Sequence, residues 1–115
     1  MITIQKLAEF GADTDSGLKR CMNNEAFYLR LVGLELNDSN FETLRQAIDA
    51  GDPGKAFEAA HALKGAVGNL SLTPISEPVS LLTEALRGAS GMPEGADALA
   101  RKVFDAYGRL KAMAE

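Results

Sequence analysis

The sequence contains few of the residues that support covalent or metal chemistry. Its 115 residues include one cysteine, one histidine and no tryptophan. A lone cysteine excludes an intrachain disulfide and is typical of a reducing compartment, so we interpret Cys21 as a small core residue. The histidine and the cysteine are far apart in the sequence, which argues against a zinc site, so we expect no metal.

Clustered positive charge and long apolar runs are also missing. The formal net charge is −4, and we expect no nucleic-acid partner because phosphate binding needs clustered Lys and Arg. No apolar run approaches the roughly 20 residues that span a bilayer. The N-terminal residues lack a charged segment followed by an apolar one, so we expect no signal peptide. These features predict a cytoplasmic protein without a membrane partner.

Hydrophobic residues, 46% of the chain, recur with helical spacing, and only four prolines interrupt them. A chain of this length is expected to form one domain, residues 1–115. Helices are predicted at 2–10, from Thr14 or Asp15 to 21, at 25–50, at 53–70, from Thr73 and from Pro93. The predicted fold is all-α: an up-down-up-down antiparallel four-helix bundle, with the short extra N-terminal helices packed across one end.

The segment from Glu25 to Ala50 allows two interpretations. One apolar stripe continues through it: Phe27, Leu31, Leu34, Phe41, Leu44 and Ile48. The residues at 37–40 resemble a loop, and Ser39 with Glu42 forms a capping-box pattern. Because the phase of the stripe is unbroken, we favour one long helix, kinked near Asp38. Two separate helices are the alternative.

Several helix ends have recognisable signals. Asn24 is a good N-cap, and Asp52 with Pro53 is a typical cap and first position. Thr73 is the predicted cap of the following helix, which Pro78 should bend or delay because it removes a backbone hydrogen bond. The sequence from Pro93 is predicted to open the last helix.

The single histidine, His61, lies on the outer face of the helix predicted for 53–70. At about 100° per residue, one face collects the apolar residues and His61 falls on the opposite face. The apolar face consists of Ala56, Ala59, Ala60, Leu63, Ala66, Val67 and Leu70. Lys64 follows His61 at i+3, Gly65 at i+4 and Gly68 at i+7. A glycine inside a helix costs roughly 1 kcal/mol relative to alanine, so these two indicate clearance for a group that approaches closely.

The sequence His61-Ala62-Leu63-Lys64-Gly65 resembles the H-x-L-K-G signature of histidine-containing phosphotransfer (HPt) domains. The likeness continues as a pattern over roughly residues 24 to 87 and includes Gly51-Asp52 before the histidine helix. The predicted last helix resembles the family pattern only in being amphipathic. Ser71, where the family often has glycine, and Pro78 depart from the family pattern.

The resemblance implies a phosphorelay carrier. Nε2 of His61 would accept a phosphoryl group from the aspartyl phosphate of a receiver domain, in a hybrid histidine kinase or a response regulator, and pass it to another receiver aspartate. Lys64 would stabilise the phosphoryl group, and Gly65 and Gly68 would leave room for it and the partner. Phe57 is either a docking anchor for a receiver or a residue folded onto the core edge. We expect Mg²⁺ on the receiver, no cofactor on this chain, and a monomer.

The chain lacks a glycine-rich nucleotide-binding loop, the ATP-binding boxes of histidine kinases and the acidic cluster of a receiver. We therefore predict a phosphocarrier without kinase activity of its own, not an enzyme. One alternative is a receiver-binding interaction bundle without phosphotransfer, which would lose little if His61 were replaced. Another is an enzyme with His61 as general base, but only Glu58 at i−3 could assist it and the site is convex.

Overall fold

The chain folds into seven α-helices, in a computed structural model that describes all of residues 1–115. The helices are α1 (Ile4–Phe10), α2 (Thr14–Arg20), α3 (Glu25–Glu35), α4 (Asn40–Ala50), α5 (Pro53–Asn69), α6 (Thr73–Leu86) and α7 (Ala96–Ala114). No strand is present. The all-α prediction is therefore confirmed.

The four helices α4 to α7 form the bundle. Helix α5 packs between α4 and α6, α7 packs on α6, and α7 also contacts α4. The short turns at Gly51 and at residues 70–72 reverse the chain direction before and after α5. Helix α1 rests on α7, while α2 contacts α1 and α3. One core of 26 buried residues, which includes the free Cys21, runs through the whole arrangement.

The favoured single helix from Glu25 to Ala50 is wrong, and the alternative of two helices is right. Helix α3 ends at Glu35 and α4 begins at Asn40. The N–H of Asn40 donates to Oδ1 of Asp38 (2.8 Å), whereas Ser39 makes no capping bond with its side chain. The Tyr107 hydroxyl from α7 donates to the carbonyl oxygen of Leu36 (2.6 Å). Hydrogen bonds with side chains therefore replace the helical ladder here, which favours a break over a kink.

The predicted apolar stripe is also wrong over α3. This helix buries Tyr28 and Val32, whereas Phe27 and Leu34 are exposed. The Tyr28 hydroxyl donates to the carbonyl oxygen of Leu70 at the end of α5 (2.8 Å). Its ring packs directly over Gly17 of α2, where any added Cβ would collide with the ring. The close fit of the Tyr28 ring therefore determines which face of α3 is buried. Continuing the apolar stripe of α4 into α3 selects the wrong face.

Three predicted helix starts shift. Helix α2 is capped by Asp13, whose Oδ1 accepts from the N–H of Ser16 (3.1 Å), and not by Thr14 or Asp15. Helix α6 begins at Thr73, so Leu72 is its cap, and α7 begins at Ala96, after Gly95. The caps predicted at Asn24 and Asp52 are confirmed, since both side chains accept a backbone N–H. Caps shift most easily where several polar or small residues follow one another.

Pro78 does not delay α6, so that part of the prediction is wrong, while the alternative of a bend stays a prediction. The helix runs from Thr73 to Leu86 with Pro78 inside it, and the proline ring is buried in the core. Burial of the apolar ring offsets the loss of one backbone hydrogen bond. The other departure, Ser71, adopts a left-handed conformation (φ 55°) that favours glycine. Its hydroxyl donates to that of Ser16 (3.0 Å), and its carbonyl accepts from the N–H of Asp13.

The end of α3 holds a half-buried acid. Oε2 of Glu35 is buried without a hydrogen-bond partner, and Glu35 and Asp38 line the same groove. Burial away from water, followed by the neighbouring Asp38 carboxyl, raises the pKa of Glu35 from about 4.5 to about 8. A proton held on Glu35 removes the repulsion between the two carboxyl groups and avoids a charge in this half-buried position at the break between α3 and α4.

This acid predicts a pH-dependent stability. Between pH 4.5 and 8 the folded chain retains the Glu35 proton that the unfolded chain releases, so the free energy of unfolding should fall as the pH rises. We expect a loss of about 1–3 kcal/mol, the cost of leaving a buried polar group unsatisfied. Glu35→Gln, neutral at every pH, should flatten this fall in urea unfolding at pH 5, 7 and 9. Glu94→Gln in an exposed turn is the control, and equal slopes for wild type and Glu35→Gln would refute the assignment.

Candidate functional site

His61 lies in the middle of α5, with its side chain exposed. The helix is held by its cap at Asp52 and by a buried face that includes Ala56, Ala60, Leu63 and Val67. Because this face packs between α4 and α6, residues half a turn away point outward. The predicted exposure of the ring is therefore confirmed.

Phe57 sets the orientation of the imidazole ring. The two rings stack with centroids 5.6 Å apart and planes 15° apart, one turn from each other along α5. Phe57 is half-buried and packs against the core, and the guanidinium carbon of Arg87 lies 5.1 Å from its ring centroid. Phe57 therefore supports His61 from the core side. The docking role predicted for it stays a prediction, with only part of the ring accessible.

Lys64 is beside His61 but already has an ionic partner. Its Nζ lies 3.4 Å from Oε1 of Glu84 on α6, and its side chain is 38% exposed. The sequence placed Lys64 one turn after His61, but it contained no sign of the acid opposite. The role of Lys64 toward a phosphoryl group stays a prediction, and the structure adds that a second anion competes for it.

Gly65 and Gly68 leave open space on the outer face of α5. A Cβ added at either position would meet no atom within 4 Å outside its own helical turn. Packing therefore does not require glycine at these positions. Gly33 and Gly108 have equally open surroundings, so openness alone does not identify a functional glycine. The clearance role assigned to Gly65 and Gly68 stays a prediction that depends on their position beside His61.

Sequence reasoning missed two charged residues at the end of α6, Glu84 in its last turn and Arg87 directly after it. Arg87 forms a two-pronged contact with Glu84, through Nε to Oε2 and Nη2 to Oε1, both at 3.2 Å. These bonds from Arg87 are the main cause that lowers the pKa of Glu84, with a smaller contribution from Lys64. The spacing of Glu84 and Arg87 at i and i+3 was a visible signal of a surface pair. Only the packing of α6 against α5 places this pair next to Lys64 and Phe57.

A second missed feature is an apolar surface on α3. Phe27 is 45% exposed and Leu34 is 60% exposed, although both are large hydrophobic residues. Leu31 and Leu34 line a shallow groove together with Ala66 of α5, the residue after Gly65. The sequence assigned these residues to the core because they share a helical period with Phe41 and Leu44. The structure instead leaves Phe27 and Leu34 at the surface, with Leu31 half-buried, and Leu31 and Leu34 border the histidine helix at Ala66.

The surroundings of His61 are convex. None of the main surface cavities is lined by His61. No group of three or more His, Cys, Asp or Glu side chains lies close enough to bind a metal ion. None of the helices has the length and apolar character needed to cross a membrane. An exposed, ring-stacked histidine on a convex surface is suited to contact with another macromolecule, because a small substrate would be poorly enclosed here.

Fold and site together define a class of protein: a helical bundle that presents one oriented histidine from the middle of a helix. A sequence profile of the Hpt domain family matches residues 32–115, from within α3 to the end of the chain. The chain therefore belongs to the Hpt domain family. Searches of curated proteins and of solved structures found no match. The family match includes α7, where the sequence had indicated only amphipathic character, and it leaves out the residues before 32.

Membership in the family establishes the general activity. Hpt domains serve in histidine phosphotransfer within the phosphorelays of two-component signalling. They are phosphocarrier modules and not kinases, and they interact with receiver domains of response regulators and kinases.

Proposed function

We propose that His61 is the phosphoryl carrier of this chain. Nε2 of the neutral imidazole attacks the phosphorus of a receiver aspartyl phosphate, and the new P–N bond forms as the P–O bond to the aspartate breaks. The aspartate leaves as a carboxylate, and the imidazolium proton is released from Nδ1. The reverse of this step on a second receiver passes the phosphoryl group onward.

The exposure of His61 on the outer face of a rigid helix is the observation that carries this proposal. Phosphoryl transfer between proteins needs a nucleophile that projects far enough to reach a partner's aspartate in line. The stack on Phe57 limits rotation of the ring. The neutral imidazole is nucleophilic near pH 7, which suits a group that must both accept and release phosphate.

The remaining groups have supporting roles in this proposal. Lys64 balances part of the negative charge that arrives with the phosphoryl group. Gly65 and Gly68 leave space for the partner. The receiver supplies Mg²⁺ and the acidic residues that hold it, so the chain needs no cofactor of its own. Transfer then depends on docking two proteins and not on an enclosed pocket in this one.

The exposed apolar surface of α3 supports docking of a receiver domain next to His61. Leu31 and Leu34 line a groove with Ala66, which directly follows Gly65, and Phe27 is exposed one turn before Leu31 on the same helix. Burial of large exposed hydrophobic side chains supplies most of the affinity of protein interfaces. A receiver seated on this surface and on the outer face of α5 would cover Gly65 and bring its aspartate to His61.

Leu34→Lys tests this surface. We expect receiver binding to weaken about tenfold, because a central apolar contact is typically worth over 1 kcal/mol and a charge replaces it. Leu81→Lys on α6 is a matched control, since Leu81 is 61% exposed and Leu34 is 60% exposed. Calorimetric titration with a receiver measures both. An equal effect of the two substitutions would place docking elsewhere.

The carrier proposal is tested by incubating the chain with phosphorylated receiver domains and Mg²⁺, followed by intact-mass analysis. The expected result is a mass gain of one phosphoryl group that is labile in acid and stable in base, as a phosphoramidate should be. If several receivers bind the chain but transfer nothing, the chain is an interaction bundle and the carrier proposal fails.

A further inference from the structure

Glu84 contacts two cations, Lys64 one turn after His61 on α5 and Arg87 just after the end of α6. Its Oε1 lies 3.4 Å from Nζ of Lys64 and 3.2 Å from Nη2 of Arg87, and its Oε2 lies 3.2 Å from Nε of Arg87. Glu84 bonds to Lys64 across the interface between α5 and α6 and to Arg87, the residue that follows the end of α6. The resting site therefore carries three charges with a net charge of one positive.

Arg87 contacts the aromatic side chain that stacks with His61. Its guanidinium lies over the ring of Phe57 at 5.1 Å, and the same ring stacks with His61 at 5.6 Å. Contacts therefore link Lys64 to Glu84, Glu84 to Arg87, Arg87 to Phe57 and Phe57 to His61. Lys64 belongs to the histidine helix itself, and Glu84 of α6 faces it across the interface between α5 and α6.

We propose that Glu84 is a positioning residue that stores Lys64 and Arg87 beside His61, and that both cations exchange Glu84 for phosphoryl oxygens once His61 is phosphorylated. This inference rests on the proposed carrier function of His61. It adds Arg87 as a second cation of the phosphoryl site and gives Glu84 the role of a competing anion.

The exchange is physically inexpensive. The side chains of Lys64, Arg87 and Glu84 are 38%, 52% and 57% exposed, and ion pairs in such surroundings are weak. Once released, Glu84 is hydrated by solvent and leaves no buried charge unpaired. The phosphoryl group carries nearly two negative charges and offers three acceptor oxygens, which match the fork of an arginine better than one carboxylate does.

The proposal predicts opposite effects for substitutions of Glu84 and Arg87. Glu84→Gln removes an anion that competes with the phosphoryl group, so the equilibrium with a receiver should shift toward phosphorylated His61 by about two- to fivefold. Arg87→Gln removes a cation and should shift the equilibrium toward unphosphorylated His61 by a similar factor. Arg87→Lys keeps the positive charge and should therefore show a smaller shift. Glu77→Gln, two turns earlier on α6, is the matched control because it is exposed and changes the net charge equally.

The test measures the fraction of phosphorylated chain at equilibrium with one receiver, together with the pKa of the phosphoryl group by ³¹P NMR titration. Glu84→Gln should lower that pKa and Arg87→Gln should raise it, whereas a purely structural role would change neither. The inference is overturned if Glu84→Gln behaves like Glu77→Gln, or if Arg87→Gln behaves like wild type. If wild type accepts no phosphoryl group at all, the proposed function fails instead, and the two failures are distinguishable.

Discussion

Replacement of His61 by glutamine should abolish phosphoryl acceptance and leave the fold unchanged. The side chain is exposed, and its described ring contact is the stack with Phe57, so the free energy of unfolding should change by less than about 0.5 kcal/mol. Glutamine has a similar length but no nucleophilic ring nitrogen. The chain contains no other histidine that could accept the group. Labelling with a phosphorylated receiver and thermal unfolding measure the two properties separately.

Receiver binding by the variant and the acid stability of any retained phosphate are the two controls for this result. His61→Gln should still bind the receiver, because the α3 surface is intact, so loss of labelling cannot be attributed to loss of docking. Phosphate retained on the variant and resistant to acid would place the acceptor on another residue. Acid-labile phosphate retained on the variant would contradict the central role of His61.

Gly65→Leu should slow phosphoryl transfer by about 10- to 100-fold while making the protein more stable. A leucine side chain on the outer face of α5 would hold the receiver away from His61, and displacement by about 1 Å can cost 100-fold in rate. The same substitution improves helix propensity by nearly 1 kcal/mol, and the position is open, so no clash within the fold offsets the gain. Initial transfer rates and urea unfolding measure these opposite changes.

Gly108→Leu provides the matched control for this prediction. Gly108 is also a helical glycine with open surroundings, but it lies on α7, away from the histidine helix. We expect a similar gain in stability without a change in transfer rate. If Gly65→Leu transfers phosphate as fast as Gly108→Leu does, the clearance role of Gly65 is wrong.

The histidine helix could be predicted from sequence because its signals are local and agree with one another. Asp52 and Pro53 mark its start, its apolar residues occupy one face, and the opposite face carries His61 and Gly65. Both the packing of the helix and the exposure of the histidine follow from the same 3.6-residue period. Tertiary contacts did not need to be known to place this residue at the surface.

Helix α3 could not be predicted in the same way because it carries two apolar sets. Phe27, Leu31 and Leu34 form one set, and Tyr28 and Val32 form the other, each at helical spacing. The choice depends on a contact distant in sequence, the fit of Tyr28 over Gly17 and beneath Leu70. The break before α4 likewise depends on Tyr107, which donates from the last helix. Periodicity within a segment contains no information about such partners.

The ionic contacts of the site could not be predicted from the sequence for a similar reason. Lys64 and Glu84 are 20 residues apart and meet only because α5 and α6 pack together. Neither residue is unusual in its own helix. Sequence reasoning therefore located the exposed histidine and Lys64 but not Glu84 or Arg87.

The most direct test of the central claim is a second transfer from the isolated phosphorylated chain. The chain is phosphorylated, freed from its donor and mixed with an unphosphorylated receiver and Mg²⁺, and both masses are followed over time. A carrier predicts that the phosphoryl group leaves His61 and appears on the receiver in equal amount. A phosphoryl group that stays on the chain, or is lost to water without reaching the receiver, would contradict the account.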